Sequence, residues 1–169
     1  IDAGIDSFKI EGRMKTALYV ATVARTYRKA IDDYLKDPKL YEANMEWYKE
    51  EIGKCTYREF TTGFYFGKPG SDAQIYNSNT YVKNYTYLGT VEEADGKGRC
   101  RIEQKNKFSV GETIEIMKPD GRNLEVVVKS ICDEDGNEQE SAPHPKQILW
   151  VDLGADVDKY DLLRKKEDN

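Results

Sequence analysis

No run of apolar residues in this 169-residue chain approaches the ~20 that a membrane helix requires, and the mean hydropathy is -0.78. Histidine occurs once, as His144, and cysteine three times, as Cys55, Cys100 and Cys132. Those cysteines are odd in number and far apart, so they supply neither a disulfide framework nor a metal-ligand spacing. They read as reduced packing residues, since a free cysteine behaves as a small buried hydrophobe. One histidine without a partnered cysteine or carboxylate is poor material for catalysis. His144 stands between Pro143 and Pro145 in a rigid extended stretch, which gives it a structural or surface role. The Ser and Thr residues have no paired base, so no nucleophilic triad is visible. There is no basic-then-apolar leader at the start, and the expected location is cytoplasmic.

Charged residues make up 34% of the chain and aromatics 11%, twelve of them tyrosine, which argues against disorder. The net charge of -5 is unevenly spread: residues 1–79 carry 12 Lys/Arg and 12 Asp/Glu, and residues 80–169 carry 14 and 19. The acidic second half is a poor bulk clamp for nucleic acid, because phosphate neutralisation needs clustered cations. A local basic face remains compatible with that total.

Within residues 5–11, the alternation of Phe8 and Ile10 with Ser7, Lys9 and Glu11 predicts a short strand over residues 7–11, ended by Gly12. Residues 15–36 change period. Ala17, Val20, Ala24, Tyr27, Ile31 and Tyr34 recur at spacings of three and four, predicting a helix with one apolar stripe that Asp37-Pro38 stops. A strand feeding a helix cannot bury its stripe alone. With Ile1 opening directly into patterned sequence, the chain reads as the C-terminal part of a larger enzyme whose sheet lies upstream. A second, weaker helix is expected over 39–53 with Gly53 at its C-cap.

Residues 68–80 are polar and turn-rich, a linker. Beyond them the period becomes two, with strands expected at Tyr85–Glu93, Arg99–Gln104, Thr113–Met117, Leu124–Cys132 and Ile148–Asp152. Asp95-Gly96-Lys97-Gly98, Pro119-Asp120-Gly121 and Asp135-Gly136-Asn137 supply turn chemistry between them. Short strands at this spacing predict a small antiparallel β-barrel. The expected fold class is α+β, divided into a strand–helix–helix unit (1–67), a linker (68–80) and a barrel (81–166). The basic run Arg164-Lys165-Lys166 reads as a frayed, solvated tail.

Four segments in series carry a family resemblance. They are Asp6-Ser7-Phe8-Lys9-Ile10-Glu11-Gly12-Arg13 with Tyr19-Val20-Ala21 and Tyr27–Asp32; Thr61–Gly67; Ile102–Phe108 leading to Gly111–Glu115; and Ala142-Pro143-His144-Pro145. In this order the chain resembles the C-terminal third of peptidase family U32, the collagenase-like proteases, whose relatives include proteins of tRNA and ribosomal RNA hydroxylation. The resemblance implies that residues 1–67 are a remnant of a TIM-like catalytic barrel, with Phe8–Glu11 a late strand and residues 15–36 its outer helix, and that the small barrel resembles a translation-factor domain. It also implies an iron–sulfur cluster on cysteines upstream, with no cofactor in this chain. Tyr57 departs from relatives that often have His there.

In an α/β barrel the C-terminal ends of strands hold the active site. In that context Lys9 and Arg13 are candidates to hold an anionic substrate, with Glu11 orienting them or serving as a base; the plain alternative is a structural ion pair of Glu11. Arg101, Lys105 and Lys107, with Tyr85, Tyr87 and Phe108, are candidates for an RNA-contacting face, against a packing role for the aromatics. The expected partners are the upstream catalytic domain, RNA or a peptide substrate, and possible self-association of the chain; no membrane partner is expected. Three readings follow. The chain helps to position RNA or caps the catalytic barrel, inactive alone; it positions peptide for a collagenase-like peptidase; or it is a structural module.

Overall fold

A twenty-residue helix, α1 (Ala17–Lys36), dominates the first third of the computed structural model, which describes residues 1–57, 62–71 and 81–167. Thr16 caps it: the hydroxyl oxygen accepts from the Tyr19 amide at 3.2 Å, satisfying one of the donors that a helix start leaves free. Asp37 ends α1 and begins the next helix, its carboxylate accepting from the Lys39 amide at 3.0 Å with Pro38 in the first helical position. The second helical stretch is two helices rather than one, α2 (Pro38–Ala43) and α3 (Met45–Ile52). The break is Asn44, at φ -93° and ψ 6°, whose side-chain amide donates to Asp33 on α1 at 2.9 Å. Gly53 stands at the C-cap of α3, as expected.

Residues 5–11 form no strand. They lie beside α1 without regular secondary structure, and no partner strand pairs with them among the described residues. Alternation gives a segment the capacity to pair, while pairing itself needs a neighbouring edge.

The rest is a curled antiparallel sheet. Its strands are β1 (Tyr85–Ala94), β2 (Arg99–Glu103), β3 (Phe108–Ser109), β4 (Thr113–Met117), β5 (Asn123–Val127), β6 (Ser130–Cys132), β7 (Glu138–Gln139), β8 (Ser141–Ala142), β9 (Ile148–Asp152) and β10 (Leu162–Lys166). Eight of them follow the order β5-β4-β10-β1-β2-β9-β6-β7, and β3 pairs separately with β8. The expected closed barrel is therefore an open half-barrel: among the described residues no ladder joins the end strands β5 and β7. The single strand expected over Leu124–Cys132 turns a corner at Val128-Lys129, where Val128 bonds back to Glu112 and Gly111 while the Lys129 amide donates to the Asp152 carbonyl at 2.9 Å. One chain segment thereby serves both halves of the curl.

The inward positions of these strands make one core, including Leu88, Val91, Ile102, Phe108, Ile114, Ile131, Leu149, Val151 and Leu163. Burial alternates along β2 and β9, as a half-buried face demands. The aspartates of the expected turns fold them, Asp95 accepting from the amides of Lys97 (2.7 Å) and Arg99 (3.0 Å). Gly98 in that turn has φ +102°, and a Cβ there would stand 2.8 Å from Gly154 Cα and 2.9 Å from the Ala155 nitrogen. Both neighbours are backbone and cannot swing aside. Gly98→Ala is expected to cost about 1–3 kcal/mol from the dihedral alone, more with the clash, read as a lowered denaturant midpoint.

The largest departure from the sequence reading is at the C-terminus. Arg164-Lys165-Lys166 is no frayed tail. It belongs to β10, which lies between β1 and β4, and Arg164 is fully buried. Leu162 and Leu163 drive that insertion by filling the interior, and Arg164 is admitted by the carboxylates described next.

Candidate functional site

Two faces of α1 divide its tasks. The expected stripe is only partly covered: Val20 and Tyr27 stay exposed, and Ile31 and Tyr34 are half-buried. Beside it Ile5, Phe8 and Ile10 are also exposed, and an open groove of about 900 Å³ runs between residues 5–11 and the helix. The buried face is a different one, made of Leu18, Thr22, Val23, Arg25, Thr26 and Asp33. This largely polar face meets the sheet through Leu18, Thr22 and Arg25, while its Asp33 accepts from Asn44 and from Tyr48 on α3.

Where it does so, charges from distant parts of the chain converge. Arg25 on α1 and Arg164 on β10 both donate to Glu51 on α3, the second at 2.7 Å. The other Glu51 oxygen accepts from the Asn123 side-chain amide at 2.8 Å, and Lys54 stands 3.3 Å from both Glu51 and Glu115. Arg164 also donates to Glu115 through Nε at 2.5 Å. Arg25 gives a further bond of 2.7 Å to the Lys118 carbonyl and one of 3.0 Å to Asn123. Tyr85 roofs the cluster, with Arg164 5.2 Å and Lys54 5.5 Å from its ring centre. Glu51 is 1% exposed. Burial, the largest influence on its carboxyl, pushes its pKa up, yet Arg164, Arg25 and Lys54 together hold it below the ordinary glutamate value.

That direction fixes a pH dependence. A carboxylate with a depressed folded pKa contributes stability above its unfolded value, about 4.3, and loses it as pH falls through the lower folded value. Asp33 acts in the same direction: bonds from Tyr48, Lys29 and Asn44 outweigh its desolvation. Denaturant unfolding is expected to show stability dropping below about pH 4, with a shallower fall in Glu51→Gln. A fall of equal steepness in that variant would assign the acid response to other groups.

The candidate substrate residues stand elsewhere. Lys9, Glu11 and Arg13 are exposed on the segment leading to α1. Glu11 accepts from the Arg13 amide at 3.0 Å and forms no ion pair among the described residues. Lys9 and Arg13 likewise have no ion pair among the described residues, so the structural pairing that was the plain alternative for Glu11 is not found there. Next to them Lys15 lies 5.3 Å and 5.5 Å from the ring centres of Tyr19 and Tyr81.

The RNA-contact candidates divide. Arg101 faces outward from β2 and is held by Glu92 and Glu134. Lys105 is paired with Glu103, one step along the same outward face. Lys107 is exposed, with no ion pair among the described residues. Phe108 is fully buried in the core and offers no ring to a base. Tyr85 is engaged with Lys54 and Arg164, and Tyr87 shares a 2.6 Å bond with Thr90. Three exposed rings remain in the turn Thr62–Gly67, namely Phe64, Tyr65 and Phe66; Thr61 of that run lies outside the described residues.

Among the described residues no group of three or more His, Cys, Asp or Glu is arranged to hold a metal ion. The cysteines do not fit a cluster: Cys55 and Cys100 are buried, and burial pushes the Cys100 thiol up to about 12, away from the thiolate a metal requires. No helix among the described residues is long and apolar enough to cross a membrane.

Comparison with known proteins matches residues 1–75 to the model of peptidase family U32 and residues 83–164 to that of the peptidase family U32 C-terminal domain. The chain belongs to peptidase family U32. It is 39% identical over 98% of its length to tRNA hydroxylation protein P1 of Bacillus subtilis, and 40% identical over 60% of its length to a collagenase of Porphyromonas gingivalis. It spans 39% and 27% of those two proteins. A solved C-terminal domain from a Geobacillus thermoleovorans protein assigned to the U32 peptidases is 32% identical, covering 48% of this chain and 92% of that one at a TM-score of 0.44. The U32 chain thus joins the family's C-terminal domain to the segment before it, and the charge cluster lies where those two parts meet. Sequence reasoning missed that cluster, because each member looks like a solvated surface residue on its own helix or strand.

Proposed function

We propose that this chain is the accessory region of a U32 enzyme, inactive alone, which caps an upstream catalytic domain and helps to position RNA. The observation that carries the reading is the open groove beside α1. Ile5, Phe8, Ile10, Val20 and Tyr27 leave apolar surface in water, and residues 5–10 have no backbone hydrogen bond to another segment among the described residues. An alternating apolar–polar segment without backbone partners beside a partly uncovered helical stripe supports an assignment to a sheet outside this chain, with residues 1–67 as the remnant of a TIM-like barrel and 81–166 as the appended unit. At the end of such a strand Lys9 and Arg13 would hold an anionic substrate, with Glu11 between them, and any iron–sulfur cluster would belong upstream.

The test compares hydrogen exchange in this chain and in a full-length protein carrying it. Amides of residues 5–11 are expected to exchange freely in the chain and to be protected in the full-length protein. Equal exchange in both would overturn the capping arrangement. For the RNA reading, a salt titration of binding by the full-length protein is expected to weaken and flatten when Lys105 and Lys107 are both replaced by Ala, by about one unit of slope for each phosphate no longer neutralised. Since Lys105 is already paired with Glu103, Lys107 should account for most of the change. An unchanged slope would favour the peptide-positioning or structural reading.

A further inference from the structure

The helices and the sheet share little apolar contact. Leu18, Met117 and Leu162 are its buried members, with Ala21 and Tyr87 packed alongside. The rest of that surface is ionic and hydrogen-bonded. Arg25, Lys54 and Arg164 meet Glu51 and Glu115, so three cations face two carboxylates, and the Nε of Arg25 is buried without a partner. Glu51 alone among the described residues pairs with both arginines. It comes from the helices, whereas Arg164, Glu115 and Asn123 come from three strands of the sheet.

We propose that Glu51 is a latch that docks the C-terminal half-barrel onto the helices, so that its loss frees the sheet from the helices while each part stays folded. The sheet has its own apolar core, drawn from residues 88–163. The helices are held to one another by Asp33, whose carboxylate accepts from Tyr48 on α3 at 2.6 Å and from Asn44 at 2.9 Å. The surface between the two parts has few apolar contacts and relies mainly on ion pairs and hydrogen bonds. Removing the one anion shared by two buried guanidinium groups turns an attractive arrangement into a repulsive one, and buried charges of like sign are poorly screened. Apart from Glu51, the two parts are tied by the bonds of Arg25 to the Lys118 carbonyl and Asn123, the Lys54–Glu115 pair, the small Leu18–Met117–Leu162 contact and the backbone bridge between Tyr57 and Val82, and none of these offsets both buried guanidinium groups.

The chain carries its own reporters. Cys55 is 2% exposed and lies close enough to Arg164 and Glu51 to feel their charges, so it reports on the latch. Cys100 is fully buried in the sheet core and reports on that core. In the full chain with Cys132→Ser, thiol labelling of Cys55 is expected to accelerate on the order of 100-fold in Glu51→Gln, the factor for about 3 kcal/mol, while Cys100 labels at its original rate. The triple variant Glu51→Leu, Arg25→Met, Arg164→Met replaces the charges with apolar groups and is expected to restore slow labelling of Cys55. Should Glu51→Gln fail to fold, Lys54→Met serves, with a smaller acceleration confined to Cys55. Acceleration of both thiols together would mean that the cluster supports a single cooperative unit, and no acceleration would mean that the ion pairs do not hold the parts together; either result overturns the latch.

Discussion

Arg164→Ala is expected to lower the unfolding free energy by about 3–5 kcal/mol, whereas Lys166→Ala, two residues along the same strand, should stay within about 0.5 kcal/mol. The contrast follows from where β10 sits. Arg164 is fully buried and pairs with Glu51 and Glu115, and its guanidinium also lies 3.3 Å from the Met117 sulfur. Lys166 is exposed and makes no ion pair among the described residues. Truncating Arg164 leaves two carboxylates facing a cavity with only Arg25 and Lys54 to offset them, and such a loss costs more than the pair contributed when intact. Arg164→Met keeps the volume and should cost less than Ala by the cavity component. Denaturant unfolding of the three variants decides the matter. Near-neutral results for both Arg164→Ala and Lys166→Ala would return this segment to the solvated tail that its sequence suggests.

That segment shows what the sequence hides. Three consecutive cations at residues 164–166 look like surface, and only the strand pairing of Arg164 with Glu115 and Tyr87 turns one of them inward. The same holds for α1. Its apolar period was legible and gave the helix within two residues, but it pointed to the wrong buried face. Thr22 and Arg25 are buried because partners as distant as Met117, Lys118 and Asn123 satisfy them, and no local pattern encodes a partner some ninety residues away.

The sheet was more readable. Alternation in β1, β2, β4 and β9 matches burial closely, since an inward face repeats every second residue whatever the strand's neighbours. Strands of two or three residues, such as β3 and β8, carry too few residues for a period to show. Phe108 marks the boundary between the two cases: beside Lys105 and Lys107 it resembled a stacking platform, yet it occupies the core and pairs in register with Ala142. The cations around it stayed legible as surface residues, while their pairing with Glu103, Glu92 and Glu134 did not.

The second large effect is expected at Lys118, another cation that the interior accepts. Its ammonium lies 2.8 Å from Asp158, 2.9 Å from Asp161 and 3.4 Å from Asp156, with the lysine side chain 2% exposed. Burial, the largest influence, would alone lower the Lys118 pKa, yet the hydrogen bonds and charges of Asp158 and Asp161 hold it above the ordinary lysine value. The three carboxylates are unequal. Asp156 and Asp158 are largely exposed and can turn to water, but Asp161 is 1% exposed, and one of its oxygens is buried without a hydrogen bond. Asp161 also receives the Asp158 amide at 2.8 Å, closing the turn that carries Tyr160 at φ +76° into β10. Lys118→Met keeps the buried stem and removes the charge. It should therefore cost about 3–5 kcal/mol, the range for a buried carboxylate left without its cation. Asp156→Ala and Asp158→Ala should each cost under about 1 kcal/mol, as exposed pairs do. Adding Asp161→Asn to Lys118→Met should recover part of the loss, a non-additivity that a double-mutant cycle reads directly. If Lys118→Met proves as mild as Asp158→Ala, Asp161 is reached by water and the charge at Lys118 does not hold the turn.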